Sequence, residues 1–436
     1  MKRPIIITLL VAALVLVLAG IGAVIFFSVR GNGGNFFTGR TQPFATVQES
    51  KTLQEDAKKT VTLKVIDDAG SVTVIGADVE TVQVKVTKTA HASTQARAEE
   101  EVKTIEYDLQ QVGNTVTLTY DLPNTIVFNL NLETVDFVVT VPRETTVDIG
   151  NNLGEVSVEG TKGNVVVKND FGDVTVKNIE DPLSLATSSG EVTAISIMAG
   201  DEDIDLKSDF GGISLNKVNG NDIKLDTNSG TLTLNEVRAT GDLTTNTDFG
   251  DMIFENGSAD SFRVETNSGG VSLIKIKVNK EIFVKDDFGK IELEQAFAAS
   301  YDLHTNSGSI VVDGARGNLK ADTDFGDIDI KNAQSVTLEA TTNSGTVEFS
   351  GSLGEGPHLI KSDFGSIDIS LPADTKLTVD LKTDFGTINS DLPITITLNG
   401  RGSRADSDRI SGSINGGGEQ LTGQTNSGDF DIKVIN

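Results

Sequence analysis

The chain has 436 residues with 44 Gly, 20 Phe, no Cys and no Trp, enough to bury a large core but without the means to make disulfides, thiolate metal sites, a thiol nucleophile or a lipid-modified cysteine. Sixty-three acidic residues against 36 basic ones leave a formal charge of −27. That charge repels phosphate backbones and anionic lipid heads, which argues against nucleic acid as a partner and leaves cations and basic surfaces open, although solubility of a long exposed domain is the plainer account of it.

Lys2 and Arg3 precede an almost wholly apolar run from Ile5 to Val29, closed by Arg30. At 1.5 Å per residue this run is long enough to span a hydrocarbon core of ~30 Å, and it exceeds the apolar region of a cleavable signal. Residues 1–30 therefore read as a cytoplasmic stub and a single transmembrane helix. The basic pair Lys2-Arg3 before the span, followed by an acidic remainder, places residues 31 onward outside the plasma membrane, as a single-pass protein with an extracytoplasmic C-terminal domain. Residues 31–43, with four Gly, read as a flexible tether.

Residues 44–150 form a β-rich leading module. The alternations Val61-Thr62-Leu63-Lys64-Val65 and Val72-Thr73-Val74 predict half-buried strands joined through Asp68-Ala69-Gly70, and Val82 to Val86 predicts a third. Ser93-Thr94 before the Ala- and Glu-rich run Gln95 to Lys103 predicts one short capped helix. Strands resume at Ile105 to Leu109 and Val116 to Tyr120.

From residue 151 to 436 the chain repeats. Asp-Phe-Gly occurs seven times, starting at Asp170, Asp209, Asp248, Asp287, Asp324, Asp363 and Asp384. Between these stand Ser188-Ser189-Gly190 and Asn-Ser-Gly at Asn228, Asn267, Asn306 and Asn343, with a last copy at Asn426, so that one motif arrives every 18 to 21 residues through Asp384. Each precedes an alternating strand such as Asp173-Val174-Thr175-Val176. The expected fold is all-β, a parallel β-solenoid of about 20 residues per coil following the membrane helix and leading module, with a looser C-terminal cap from about residue 401.

Asn and Asp hydrogen-bond their own backbone two residues on, and Gly accepts positive φ, so both motifs solve one corner problem. Two reasons for their alternation are expected. Neutral Asn or Ser between aspartates spaces like charges about 10 Å apart, near one Debye length. A Phe in every second coil also packs over the small Ser of its neighbours in a filled ladder.

The N-terminal span, the Pro-led segments Val141-Pro142-Arg143-Glu144-Thr145 and Leu371-Pro372-Ala373-Asp374-Thr375, and the Gly-turn repeats together resemble the bacterial putative-adhesin domain family over residues 60 to 436. The resemblance implies a cell-envelope location and supplies no catalytic residues.

Several motifs compete for chemistry. Asp-Phe-Gly holds magnesium in protein kinases, but here it recurs seven times without a phosphate loop or a catalytic loop, and it reads as a turn. His91, His304 and His358 lie far apart and show no metal or triad spacing. Asn256-Gly257-Ser258 matches a glycosylation acceptor and is equally a natural turn. The column Asp170, Asp209, Asp248, Asp287, Asp324, Asp363 and Asp384 offers the oxygen ligands calcium prefers, making calcium the one candidate metal and these seven its candidate ligands.

The expected function is non-catalytic: an adhesin, envelope scaffold or surface sensor whose partners are the membrane, a cell-wall polysaccharide or an envelope protein. The alternatives are a polysaccharide-active β-helix enzyme built on paired carboxylates, and a partner-dependent regulator of envelope stress.

Overall fold

A computed structural model describes residues 43–53, 60–122, 133–396 and 408–435. The apolar run Ile5 to Val29 and the tether lie outside the described residues. Among the described residues no helix is long and apolar enough to cross a membrane. The short helix expected after Ser93-Thr94 spans Gln95–Thr104; Thr94 caps it, its side chain accepting the Arg97 N–H, and the helix buries Ala98 and Val102.

The repeats fold as an all-β parallel solenoid. Each coil contributes one strand to a first ladder, such as Val165–Phe171, then turns at the motif glycine into a second-ladder strand, such as Val174–Lys177. Both strands pair in parallel with their counterparts one coil away, Val165 with Leu183 and Val174 with Val192. Period-two alternation turns Val165, Val167, Val174 and Val176 inward, and equivalent Val, Ile and Leu residues stack into one continuous core. Each such side chain, fully buried, contributes about 1.5–3 kcal/mol.

A second corner follows. After Val176 the next inward residue is Ile179, three positions on instead of two, because Asn178 adopts φ 55° and swings the chain round. Ser196, Lys217, Glu236, Asn256, Lys275, Gln295 and Asn332 occupy equivalent places with φ between 52° and 58°.

Chain order and stacking order diverge at both ends. Val61–Asp67 sits between Thr115–Tyr120 and Thr145–Leu153, and Val72–Ala77 sits between Thr134–Pro142 and Val156–Glu159. The chain thus lays down an inner coil, builds the end beyond it, and returns. That end is closed by antiparallel pairing of Val82–His91 with Thr134–Pro142 and of Phe44–Leu53 with Val82–His91.

The C-terminus repeats the device: Glu419–Ser427 inserts between His358–Phe364 and Leu377–Phe385, and Phe430–Val434 between Ile367–Leu371 and Ile388–Ser390. Arg409–Ile414 runs antiparallel along Leu377–Phe385. Antiparallel strands therefore cover the N-terminal end and the first ladder of the C-terminal end, which blunts edge-to-edge aggregation there, while the second ladder ends on Ile388–Ser390, parallel to Phe430–Val434.

Candidate functional site

The motif corner is built from three columns. The innermost is the residue before each Asp, Asn or Ser: Asn169, Thr187, Ser208, Thr227, Thr247, Thr266, Asp286, Thr305, Thr323, Thr342, Ser362, Thr425 and Thr383, all buried. Most of their hydroxyls donate to the motif-glycine carbonyl of the adjacent coil, as Thr187 does to Gly172 at 3.1 Å, Ser208 to Gly190 at 2.9 Å and Thr323 to Gly308 at 3.0 Å. A carbonyl buried at the turn is thereby satisfied.

The motif glycines are required by close approach. A Cβ on Gly250 would lie 2.1 Å from the Gly230 carbonyl oxygen, and one on Gly326 would lie 1.9 Å from that of Gly308. Gly250 adopts φ 155°, but Gly230 and Gly326 need no positive φ, so the shared cause is the neighbouring coil.

The second column carries the seven candidate aspartates. Asp248, Asp287, Asp324 and Asp363 each accept the side-chain amide of the Asn one coil away, at 2.9, 3.0, 2.6 and 3.3 Å from Asn267, Asn306, Asn343 and Asn426. Lys207, Lys361 and Lys382 pair with Asp209, Asp363 and Asp384 at 3.4, 3.1 and 2.8 Å. The remaining one, Asp170, is exposed at the same corner. Alternation therefore joins neighbouring coils by an amide–carboxylate bond besides diluting charge. Among the described residues no three of His, Asp or Glu cluster closely enough to hold a metal ion.

The third column overturns the expected Phe packing. Phe171, Phe210, Phe249, Phe288, Phe325, Phe364 and Phe385 are 54 to 80 % exposed, so they do not fill a ladder over Ser. The small residue two positions earlier already occupies the inward place, and the turn into the glycine throws the ring outward.

Register alignment runs Phe171, Ser189, Phe210, Ser229, Phe249, Ser268, Phe288. The Asp286–Thr305 pairing carries the same register on to Ser307, and the row continues Phe325, Ser344, Phe364, Ser427, Phe385. The two Asp-Phe-Gly motifs that follow one another in sequence, at Asp363 and Asp384, are separated in space by the inserted Asn426-Ser427-Gly428 coil. Alternation along the molecule is unbroken from Phe171 to Phe385.

The three histidines sit in separate environments, and His91 Nδ1 and His358 Nε2 are buried without a hydrogen-bond partner. His304 Nδ1 lies 2.9 Å from Asp322 Oδ2 and its Nε2 lies 3.2 Å from Asn306 Oδ1. His358 Nδ1 accepts the Leu338 N–H at 3.2 Å, and burial holds its pKa below the ordinary value. His91 packs beside Phe44, with ring centroids 5.8 Å apart. Asn256 of the glycosylation-like tripeptide takes one of the left-handed corner positions, with its amide on Asn235 Oδ1 at 3.2 Å.

Sequence reasoning missed two buried carboxyls. Asp67 and Asp286 occupy the inward polar column, each with Oδ2 unpartnered. Burial pushes Asp67 up to about 8 and Asp286 up to about 6, against opposing backbone N–H bonds from Ala69 and Phe288. Comparison of the residue before each motif would have found Asp286, the one acid before an Asp-Phe-Gly.

The repeat architecture has a match among known families: residues 65–275 and 254–433 each fit Toastrack DUF4097. The chain belongs to that family. This accords with the resemblance noted from its turn motifs and Pro-led segments. Among solved structures, the Toastrack chain is similar to a putative cell adhesion protein from Clostridium sporogenes at 9 % identity, covering 90 % of this chain and 100 % of that one, with a TM-score of 0.19. It is similar also to a putative adhesin from Bacteroides fragilis at 10 % identity, covering 89 % and 97 %, with a TM-score of 0.21. No curated protein matches it.

Proposed function

We propose that this Toastrack chain is a non-catalytic binding scaffold on the cell surface, held to the plasma membrane by Ile5 to Val29, with the Phe column as its adhesive edge. The observation that carries this reading is the line of seven exposed rings kept in one register. Exposed phenylalanine normally costs solubility, and single exposed apolar residues need no explanation, but a periodic row on a surface of net charge −27 does.

The scaffold beneath supports it. Buried hydroxyl–carbonyl bonds and stacked apolar ladders fix the corner, so the rings are presented by a rigid frame and little order has to be imposed on binding.

The test is retention of the purified full-length chain on isolated cell-wall and envelope fractions, against a variant carrying Phe210→Ser, Phe249→Ser and Phe288→Ser. Wild type is expected to be retained and the variant to lose at least nine-tenths of that retention. Equal retention of both, or of neither, overturns the reading.

A further inference from the structure

We infer that the Phe column is a linear subsite array for a neutral, extended β-1,4-linked polysaccharide, an inference that rests on the binding role just proposed. Its first support is metric. Adjacent coils stack at about 4.8 Å, so successive rings stand about 9.6 Å apart and the seven span roughly 58 Å. In an extended β-1,4-linked polymer each pyranose advances the chain by close to one strand spacing and is turned half a revolution from the last. The same apolar C–H face therefore returns every second sugar, the interval at which a ring recurs here.

The second support is that the interval belongs to the surface and not merely to the sequence. Between Asp363 and Asp384 the chain supplies no neutral motif, and two rings would stand in adjacent coils if stacking followed chain order. Insertion of Glu419–Ser427 between the two strands restores the Ser step. At the one place where sequence order would break the spacing, the topology repairs it.

The third support is chemical. The column beside the rings alternates carboxylate and amide, Asp248 beside Asn267 and Asp324 beside Asn343. A carboxylate can accept several hydrogen bonds, and an amide both donates and accepts, which suits the hydroxyls at the rim of a sugar ring. Ser in the intervening coils leaves room for the sugar whose apolar face is turned away. The net charge of −27 disfavours uronate, sulfate and phosphate polymers, leaving a neutral chain as the occupant. Because each added disaccharide engages one more ring, affinity should climb with polymer length through effective concentration.

The experiment measures binding of full-length protein to β-1,4-linked glucose and N-acetylglucosamine oligomers of four, six and eight sugars, with a β-1,3-glucan and polygalacturonate as comparators. Besides the triple serine variant it uses a swap, Phe249→Ser with Ser229→Phe, which keeps seven exposed rings and breaks only their interval. The expected results are binding to at least one β-1,4 series that strengthens severalfold with each added pair of sugars, negligible binding to both comparators, and at least a tenfold loss in the swap.

A swap that binds as wild type, a β-1,3-glucan bound equally well, polygalacturonate bound as tightly, or no β-1,4 oligomer bound would each overturn the inference. If wall fractions still retain the chain in a Phe-dependent way while the oligomers fail, the ligand class falls and the binding role stands. If the triple serine variant is retained like wild type, both fall.

Discussion

The two corners of each coil solve the same turning problem under different constraints. At the motif corner the chain passes so close to the coil beside it that a methyl group would sit about 2 Å from a carbonyl oxygen, and glycine recurs without exception from Gly172 to Gly428. At the second corner only the backbone angle is shared. Asn178, Ser196, Lys217, Glu236, Lys275 and Gln295 all take φ near 55° while pointing away from the core, so residue type drifts freely. Steric exclusion by a neighbour dictates identity, whereas a local torsion preference of about 1–2 kcal/mol merely biases it.

The sharpest way to break that contrast is Gly250→Ala. The added Cβ would overlap the Gly230 carbonyl at 2.1 Å and its carbon at 2.6 Å, both backbone atoms locked in the ladder. A loss of about 3 kcal/mol or more is expected, the upper range for a single substitution, read as a lowered urea midpoint. A loss under about 1 kcal/mol would show that neighbouring coils can separate and that the glycine is retained for its torsion alone.

A smaller effect is expected from Asp286→Thr, which places a hydroxyl donor where the column otherwise has one. Asp286 is buried with its carboxyl pushed up to about 6, first by burial and then by the charge of Asp287. The folded state therefore holds this proton more tightly than the unfolded chain, whose Asp titrates near 3.9. Stability contributed at this position is fully present below about pH 4, falls as the pH rises to about 6, and is level above that. At pH 7 the threonine variant should be more stable by up to about 3 kcal/mol, two pKa steps at 1.36 kcal/mol each. At pH 3.5 that advantage should disappear. Urea midpoints at the two pH values check this, and an advantage independent of pH would mean that packing, not ionisation, separates the variants.

How much of this was legible follows from the same contrast. The motif corner could be read because a steric rule leaves one residue type at a fixed spacing, and the ladders because Val174-Thr175-Val176 and its counterparts alternate strictly. The outward rings could not, since strict alternation would place Phe171 on the same face as Asn169; the turn into Gly172 breaks that rule. The second corner left one faint trace, the step of three between inward residues, Val176 to Ile179 and Leu234 to Val237. The inserted terminal coils depend on which neighbour a strand meets in space. Their only sequence mark at the C-terminus is a pair of consecutive Asp-Phe-Gly motifs and a displaced Asn-Ser-Gly at Asn426. The aspartate column was found from spacing, but its partners, the Asn amides of the next coil, follow from register.

The smallest expected effect tests the permissive corner. Glu236 holds φ 56° on the exposed surface, with no hydrogen bond or ion pair that would be lost with its side chain beyond what solvent replaces. Glu236→Gly removes the left-handed strain of about 1–2 kcal/mol but adds unfolded-chain freedom worth about 0.4–1 kcal/mol. The net gain should be about 0.5–1 kcal/mol, opposite in sign to the glycine substitution at the other corner. Paired urea titrations of Glu236→Gly and Gly250→Ala in one background measure the contrast directly. Should Glu236→Gly destabilise by more than about 1 kcal/mol, the side chain at this corner would be contributing contacts, and the two corners would differ in degree instead of kind.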